Sequence, residues 1–181
     1  MKSKNRGFTL IELLIVVAII GLLASVVLIG LGGFRSTGRD ARRSADLRQI
    51  QTALELYFAR CGFYPGDLNC GNGSPTENAN GSITKGGGLR DVLQNSDLGA
   101  TIVIPNDPLN PSNDTDEQNY FFSVNDSGAG LIGSRYVLRA KLEDANSKLL
   151  DNDLNGDSPP GFMNINCNDN DPADRFYCIG I

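Results

Sequence analysis

The part of the sequence that best indicates the fold lies near its start and reads Arg6-Gly7-Phe8-Thr9-Leu10-Ile11-Glu12-Leu13-Leu14. This stretch opens an apolar run in which residues 13–33 carry no charged side chain. A helix rises about 1.5 Å per residue, so these residues are long enough to span a hydrocarbon layer of about 30 Å. We therefore expect the segment to cross a membrane.

Glu12 is the unusual residue of this run. A carboxylate in an apolar span costs roughly 2.5–3.5 kcal/mol at a helix centre and less near its end, so an ion-paired partner is expected. Thr9 and Glu12 also have the spacing of a capping box, and the two roles are compatible. A secretory signal cleaved near Ala24 and Ser25 is an alternative, but the run exceeds the usual h-region of about 7–15 residues and its start contains a carboxylate.

The net charge of −5 is unevenly distributed along the chain. Residues 1–61 carry nine Lys/Arg against four Asp/Glu, a net +5, whereas residues 62–181 carry seven against seventeen, a net −10. A basic stretch beside an apolar segment suits anionic lipid headgroups or an acidic partner. The acidic remainder disfavours contact with phosphates, so no nucleic-acid partner is predicted.

The N-terminal stretch resembles the class III prepilin signal of type IV pilins, type II secretion pseudopilins and competence pseudopilins. The resemblance implies cleavage between Gly7 and Phe8 by a prepilin peptidase and N-methylation of Phe8. It also implies that Glu12 pairs with the N-terminal amine of a neighbouring subunit during assembly on an inner-membrane platform. The partners expected from it are further copies of the chain in a helical filament, the peptidase, the platform and the membrane.

The same resemblance places residues 35–181 outside the cytoplasm, with a single pass through the inner membrane before assembly. The positive-inside rule argues the other way, because five arginines follow the apolar run closely, at positions 35, 39, 42, 43 and 48. We give the leader motif and the cysteine pairs more weight than the count of arginines, because both place residues 35–181 outside the cytoplasm.

Hydrophobic periodicity predicts an α+β fold, and the resemblance implies the type IV pilin-like fold, in which the second half of a long N-terminal helix packs on a small antiparallel sheet. Leu47, Ile50, Leu54 and Tyr57 form the core-facing stripe of a helix over 39–60, with Arg43 mostly away from the stripe. Glycines at 30, 32 and 33 are expected to loosen or bend the preceding helix. A short helix is predicted at 89–95, and strands at 101–104, 119–124, 134–142 and 175–179 form a small antiparallel sheet.

The expected domains are a leader (1–7), a transmembrane and assembly helix (8–34), an amphipathic helix (35–61) and a globular head (62–181).

The four cysteines form two local pairs, Cys61 with Cys70 and Cys167 with Cys178. Disulfides in an oxidising compartment are the favoured interpretation, although four cysteines allow three connectivities. A zinc site is the alternative, but the spacing within each pair is far wider than the usual two to four residues or so.

One acidic loop is a candidate calcium site. Asp151, Asp153, Asn155 and Asp157 place oxygen ligands at alternate positions, and Gly156 permits a sharp turn. The loop is no EF-hand, because its twelfth position is Phe162 instead of a bidentate Glu. Resemblance to major pseudopilins favours structural calcium here, and a solvated polar turn is the alternative.

Nothing in the sequence indicates an enzyme. The chain has no histidine, which removes His-based acid–base catalysis, and it carries no cofactor motif. The sequence therefore predicts a filament subunit, favouring the major pseudopilin of a type II secretion-like system. A type IV pilus subunit for adhesion, motility or DNA uptake is the alternative, and so is a membrane-tethered binding module that never polymerises.

Overall fold

The computed structural model describes residues 7–66, 70, 81–83, 89–95, 102–110, 120–125, 133–154, 156–157, 162, 165–168 and 175–180. Its elements in chain order are α1 (Leu10–Cys61), β1 (Gly81–Ser82), α2 (Leu89–Asn95), β2 (Phe121–Val124), β3 (Tyr136–Lys141), a 3₁₀ turn (Leu150–Asn152), β4 (Gly156–Asp157), β5 (Asn166–Cys167) and β6 (Phe176–Gly180). The chain divides into an N-terminal unit, Met1–Ser36, and a C-terminal unit, Thr37–Ile181.

The N-terminal unit contains the first part of α1. Leu10–Val27 has a mean hydropathy of 2.9, none of it is buried within the chain, and it is long and apolar enough to cross a membrane. The helix continues without a break through the glycines at 30, 32 and 33, and the expected loosening or bending there stays a prediction. The apolar side chains of Leu10–Val27 therefore have no cover from their own chain.

The C-terminal unit has an antiparallel sheet with strand order β1-β2-β3-β6. The two-residue β1 is its smallest strand, and β4 pairs with β5 in a separate short ribbon. Across the main sheet, Leu138 of β3 is the register partner of Phe122 on β2 and of Ile179 on β6. The α+β architecture predicted from the sequence is confirmed, while the predicted domain limits stay predictions.

The core of the C-terminal unit lies between α1 and this sheet. The helix contributes the predicted stripe, in which Leu47, Ile50 and Leu54 have no exposed surface, and the sheet contributes Phe122 and Leu138. Burial of each such side chain stabilises the fold by about 1.5–3 kcal/mol before entropy is counted. The helical period therefore fixes which side of α1 faces the sheet.

The end of α1 is set by Gly62, which adopts a left-handed backbone with φ of 78°. Its N–H donates to the carbonyl of Phe58 at 2.8 Å, which satisfies one of the free carbonyls at the helix end. The chain then turns into Tyr64, whose N–H donates to the carbonyl of Gly133 at 2.7 Å. This turn ties the helix end to the segment that precedes β3.

The C-terminal unit also contains a buried network of ion pairs. The guanidinium of Arg43, only 2% exposed, donates to both oxygens of Asp107 at 2.6 and 3.0 Å, to Asp40 at 2.7 Å and to Glu143 at 2.8 Å. Glu143 also receives two hydrogen bonds from Arg39. The network therefore joins three segments that are far apart in sequence.

The network determines the ionisation of its members. Burial alone would lower the pKa of Arg43, but hydrogen bonds to Asp107 and Glu143 outweigh burial and hold that pKa above its ordinary value. Hydrogen bonds from Arg39, and then from Arg43, lower the pKa of Glu143 to about 2. Arg43 and Glu143 are consequently charged at neutral pH.

Two sequence predictions for this unit are wrong. Arg43, predicted to lie mostly away from the buried stripe, lies inside the unit, because three carboxylates compensate its charge. Residues 102–104 of the expected strand at 101–104 form no strand; Val103 accepts a side-chain bond from Gln49 instead. The helix at 89–95 and the strands around 121–124, 136–141 and 176–180 are confirmed.

Because of Glu143, the free energy of unfolding should depend on pH in the acid range. Its native pKa of about 2 lies below the ordinary value of 4.5, so its stabilisation is present above about pH 4.5 and is lost as pH falls toward 2. Chemical denaturation of the detergent-solubilised chain between about pH 5 and 2 should show this loss. The difference in free energy of unfolding between wild type and Glu143→Gln should be largest at neutral pH and should shrink as the pH falls from about 5 to 2. A difference that does not change with pH would contradict the assignment.

Candidate processing and assembly site

The peptide bond between Gly7 and Phe8 lies just before α1, where residues 7–9 have no regular secondary structure. Phe8 is 87% exposed, and a side chain built at Gly7 would meet no atom within 4 Å. Within the part of the chain that the structure describes, this bond is therefore open to an approaching protein. Cleavage and methylation at this position stay predictions.

Thr9 and Glu12 form a capping box at the start of α1. One carboxylate oxygen of Glu12, Oε2, accepts the backbone N–H of Thr9 at 2.9 Å and its hydroxyl at 2.7 Å, while the Thr9 hydroxyl accepts the N–H of Glu12 at 3.4 Å. The carboxylate also lies in the first turn, where the helix dipole favours a negative charge. The capping role that the sequence left open is thus present.

Capping uses only part of the Glu12 carboxylate. Its other oxygen, Oε1, has no hydrogen bond to any of the residues that the structure describes, and the side chain is exposed. A carboxylate offers about four lone-pair positions in all. Glu12 can therefore start the helix and still accept an ammonium group from another molecule.

The cysteines are joined as local pairs, Cys61 to Cys70 and Cys167 to Cys178, with Cα atoms 5.6 and 5.8 Å apart. The first bridge links the end of α1 to the segment that follows it. The second joins β5 to β6, and both of its cysteines are fully buried. Through this bridge the β4–β5 ribbon is attached to the main sheet.

The candidate calcium loop is only partly described. Asp151 lies exposed in the 3₁₀ turn, and Asp153 uses Oδ2 to accept the N–H of Cys178 at 2.9 Å. Asn155 and the side chain of Asp157 lie outside the described residues. Among the residues that are described, no three acidic or sulfur side chains come together as a metal site. The bond from Asp153 to β6 is a structural role that the sequence pattern did not signal.

The N-terminus of the chain matches a known family model. The prokaryotic N-terminal methylation motif matches residues 2–28, which include Gly7, Phe8 and Glu12. The type IV major pilin protein PilA of Myxococcus xanthus is 41% identical over 56 residues, 31% of this chain and 26% of that protein. The type II secretion system core protein G of Escherichia coli is 37% identical over 63 residues, 35% of this chain and 43% of that protein.

A third relative is the type IV major fimbrial protein FimA of Dichelobacter nodosus, 44% identical over 55 residues, 30% of this chain and 35% of that protein. No solved structure matches the chain. The motif, the exposed apolar helix and these relatives define a protein with a prepilin-type N-terminus. The N-terminal third of the chain is similar to that of type IV pilins and of type II secretion protein G, and the chain spans less than half the length of each of these three relatives.

Proposed function

We propose that the chain is the structural subunit of an extracytoplasmic helical filament. The observation that carries this proposal is the wholly exposed apolar helix Leu10–Val27, which follows an accessible Gly7–Phe8 bond and contains Glu12, whose carboxylate caps the helix through one oxygen. An apolar surface of this length must be covered by lipid or by protein. In the proposed cycle, the inner membrane covers it first and neighbouring copies cover it after assembly.

Glu12 sets the position of one subunit relative to the next in the assembled filament. Prepilin peptidase would remove residues 1–7, and the new amine of Phe8 would carry a positive charge. In an apolar filament core, an ammonium group from the next subunit offsets the cost of burying the Glu12 carboxylate. The pairing is strongly position-dependent, because either charge left alone in that core is unfavourable.

The favoured filament is that of a type II secretion-like system, with the chain as its major pseudopilin. The support is the resemblance of residues 40–65 to the helix and aromatic-proline turn of major pseudopilins, and the similarity to core protein G. That similarity covers 63 residues, so it extends beyond the 27 residues of the methylation motif. A type IV pilus subunit is the second candidate, supported by the similarity to PilA and FimA. In both cases an inner-membrane platform is the expected assembly partner.

Processing is the first test of this proposal. When the full chain is co-expressed with a prepilin peptidase, intact mass and N-terminal sequencing should show loss of Met1 to Gly7, leaving Phe8 first. Expression without the peptidase is the control and should leave the leader in place. A leader retained in both cases, or cleavage near Ala24, would overturn the proposal.

Glu12→Leu tests assembly separately from processing. The substitution removes the charge that pairs with the neighbouring amine, so cleavage should continue while sheared filaments disappear. Thr9→Ala is the matched control, because it weakens the cap by about 1 kcal/mol but keeps the Glu12 charge. If Glu12→Leu assembles as well as Thr9→Ala does, pairing is not the role of Glu12. Glu12 would then serve only as the cap of α1.

We also propose that the 151–157 loop holds a structural calcium ion through Asp151, Asp153, Asn155 and Asp157. The alternating oxygen side chains support this, and Asp153 already connects the loop to β6. Calcium at a hundred times its dissociation constant should stabilise the chain by about 2.7 kcal/mol, seen as a raised Tm. Asp151→Ala should abolish the response and Asp91→Asn, in α2, should preserve it. A Tm that is insensitive to calcium would leave the loop as a solvated turn.

A further inference from the structure

The C-terminal unit has a cleft of about 520 Å³ between α1 and the turns that follow β3. This volume falls within the range of about 300–1,000 Å³ that is usual for small-ligand sites. The helix and the turns each contribute polar and apolar residues to its walls. Those used in the argument are Thr37, Asp40 and Ala41 from α1 and Asp144, Lys148 and Leu149 from the turns.

The cleft is held in shape by hydrogen bonds of its own walls. Asp40, which is only 2% exposed, accepts the backbone N–H groups of Glu143 and Asp144 at 3.0 Å each. The N–H of Ser147 then donates to the carbonyl of Asp144 at 3.2 Å and closes a turn. Because Asp40 is also paired with Arg43 at 2.7 Å, its charge is already compensated within the chain.

Two charges of opposite sign at the cleft are still available to a ligand. Lys148 is exposed and forms no ion pair with any residue that the structure describes. Asp144 accepts the N–H of Asn146 through Oδ1 at 3.0 Å, and its Oδ2 has no hydrogen bond within the described part of the chain. Because the two charges cancel, the cleft does not favour a simple anion or a simple cation. A ligand that carries one group of each sign matches both.

The cleft is tethered close to the end of the apolar run. Thr37 follows the uncharged run 13–33 by four residues. Four residues cover at most about 14 Å even when fully extended, and this limit holds for any arrangement of the two units. The headgroup zone on each side of a bilayer is itself about 5–8 Å deep. When the run crosses a membrane, phospholipid headgroups are therefore the nearest zwitterions to the cleft.

We propose that the cleft binds the headgroup of a zwitterionic phospholipid whose cation is a primary ammonium, as in phosphatidylethanolamine. Asp144 accepts hydrogen bonds from the ammonium, Lys148 pairs with the phosphate, and both contacts are charge-assisted. Ala41 and Leu149 supply apolar surface for the glycerol end of the lipid. The bound lipid gives the unassembled chain a second attachment to the membrane beside its helix. The inference rests on the membrane stage of the proposed function and adds a ligand to that stage.

The test measures which lipid stays on the full-length chain. The chain is purified in detergent micelles that contain equal amounts of phosphatidylethanolamine and phosphatidylcholine, and bound lipids are counted by native mass spectrometry. We expect about tenfold more ethanolamine lipid, because the choline cation has no N–H to donate to Asp144. Equal retention of the two lipids would overturn the inference.

Substitutions in the cleft separate the two contacts. Asp144→Asn should abolish the preference between the lipids, while its amide oxygen can still accept the N–H of Asn146. Lys148→Gln should reduce the binding of both lipids alike, because the phosphate loses its cation. The matched controls are Asp91→Asn in α2 and Lys141→Gln in β3, which make the same changes outside the cleft and should bind as wild type does. Cleft variants that bind like these controls would contradict the assignment.

Soluble glycerophosphoethanolamine, which is the headgroup without acyl chains, tests whether the ligand is a lipid. It should displace the lipid only in large excess, and displacement at equal concentration would overturn the lipid assignment. Failure of the proposed function gives a different result. A chain that is never recovered in the membrane fraction contradicts the proposed function, whereas a membrane-bound chain without headgroup preference contradicts this inference alone.

Discussion

The C-terminal unit depends on the burial of one guanidinium group. Arg43 pairs with Asp40 one turn earlier on α1, with Asp107 in the 102–110 segment and with Glu143 just after β3. Removing one partner from such a network leaves an uncompensated charge in the interior, typically at a cost of about 3–5 kcal/mol. Three segments must therefore reach their native positions together, or the interior is left with an unpaired charge.

This constraint also sets the rotation of α1. Asp40 accepts the backbone N–H groups of Glu143 and Asp144, so the connection after β3 is fixed directly to the helix. A helix held in this way cannot turn about its axis without breaking the network. The apolar stripe selects the side of α1 that faces the sheet, but hydrophobic contact is not directional and by itself sets the exact position less strictly. The ionic contacts have strict geometry, and they select one arrangement of the helix on the sheet.

Sequence reasoning found the parts of the fold that follow a local period. Leu47, Ile50 and Leu54 recur at helical spacing, and their burial follows from that spacing alone. Arg43 lies four residues before Leu47, on the same side of the helix, but a buried charge was not expected there because two of its three carboxylate partners lie 64 and 100 residues away. The β-branched content of residues 102–104 favoured a strand, yet tertiary contacts to α1 and α2 override that weak local preference. At the N-terminus the motif itself carries the information, and the methylation motif matches residues 2–28; the roles of Gly7, Phe8 and Glu12 stay predictions.

The two units differ in how far their side chains are covered and paired within the chain. In the C-terminal unit the charged groups of the network find partners in the same chain, and the large apolar side chains are mostly buried. In the N-terminal unit every side chain of Leu10–Val27 is uncovered, and Glu12 uses one oxygen on its own helix start. The cap and an intermolecular ion pair do not compete, because they use different atoms of one carboxylate. An apolar helix that its own chain leaves uncovered is stable only where lipid or another protein surface covers it.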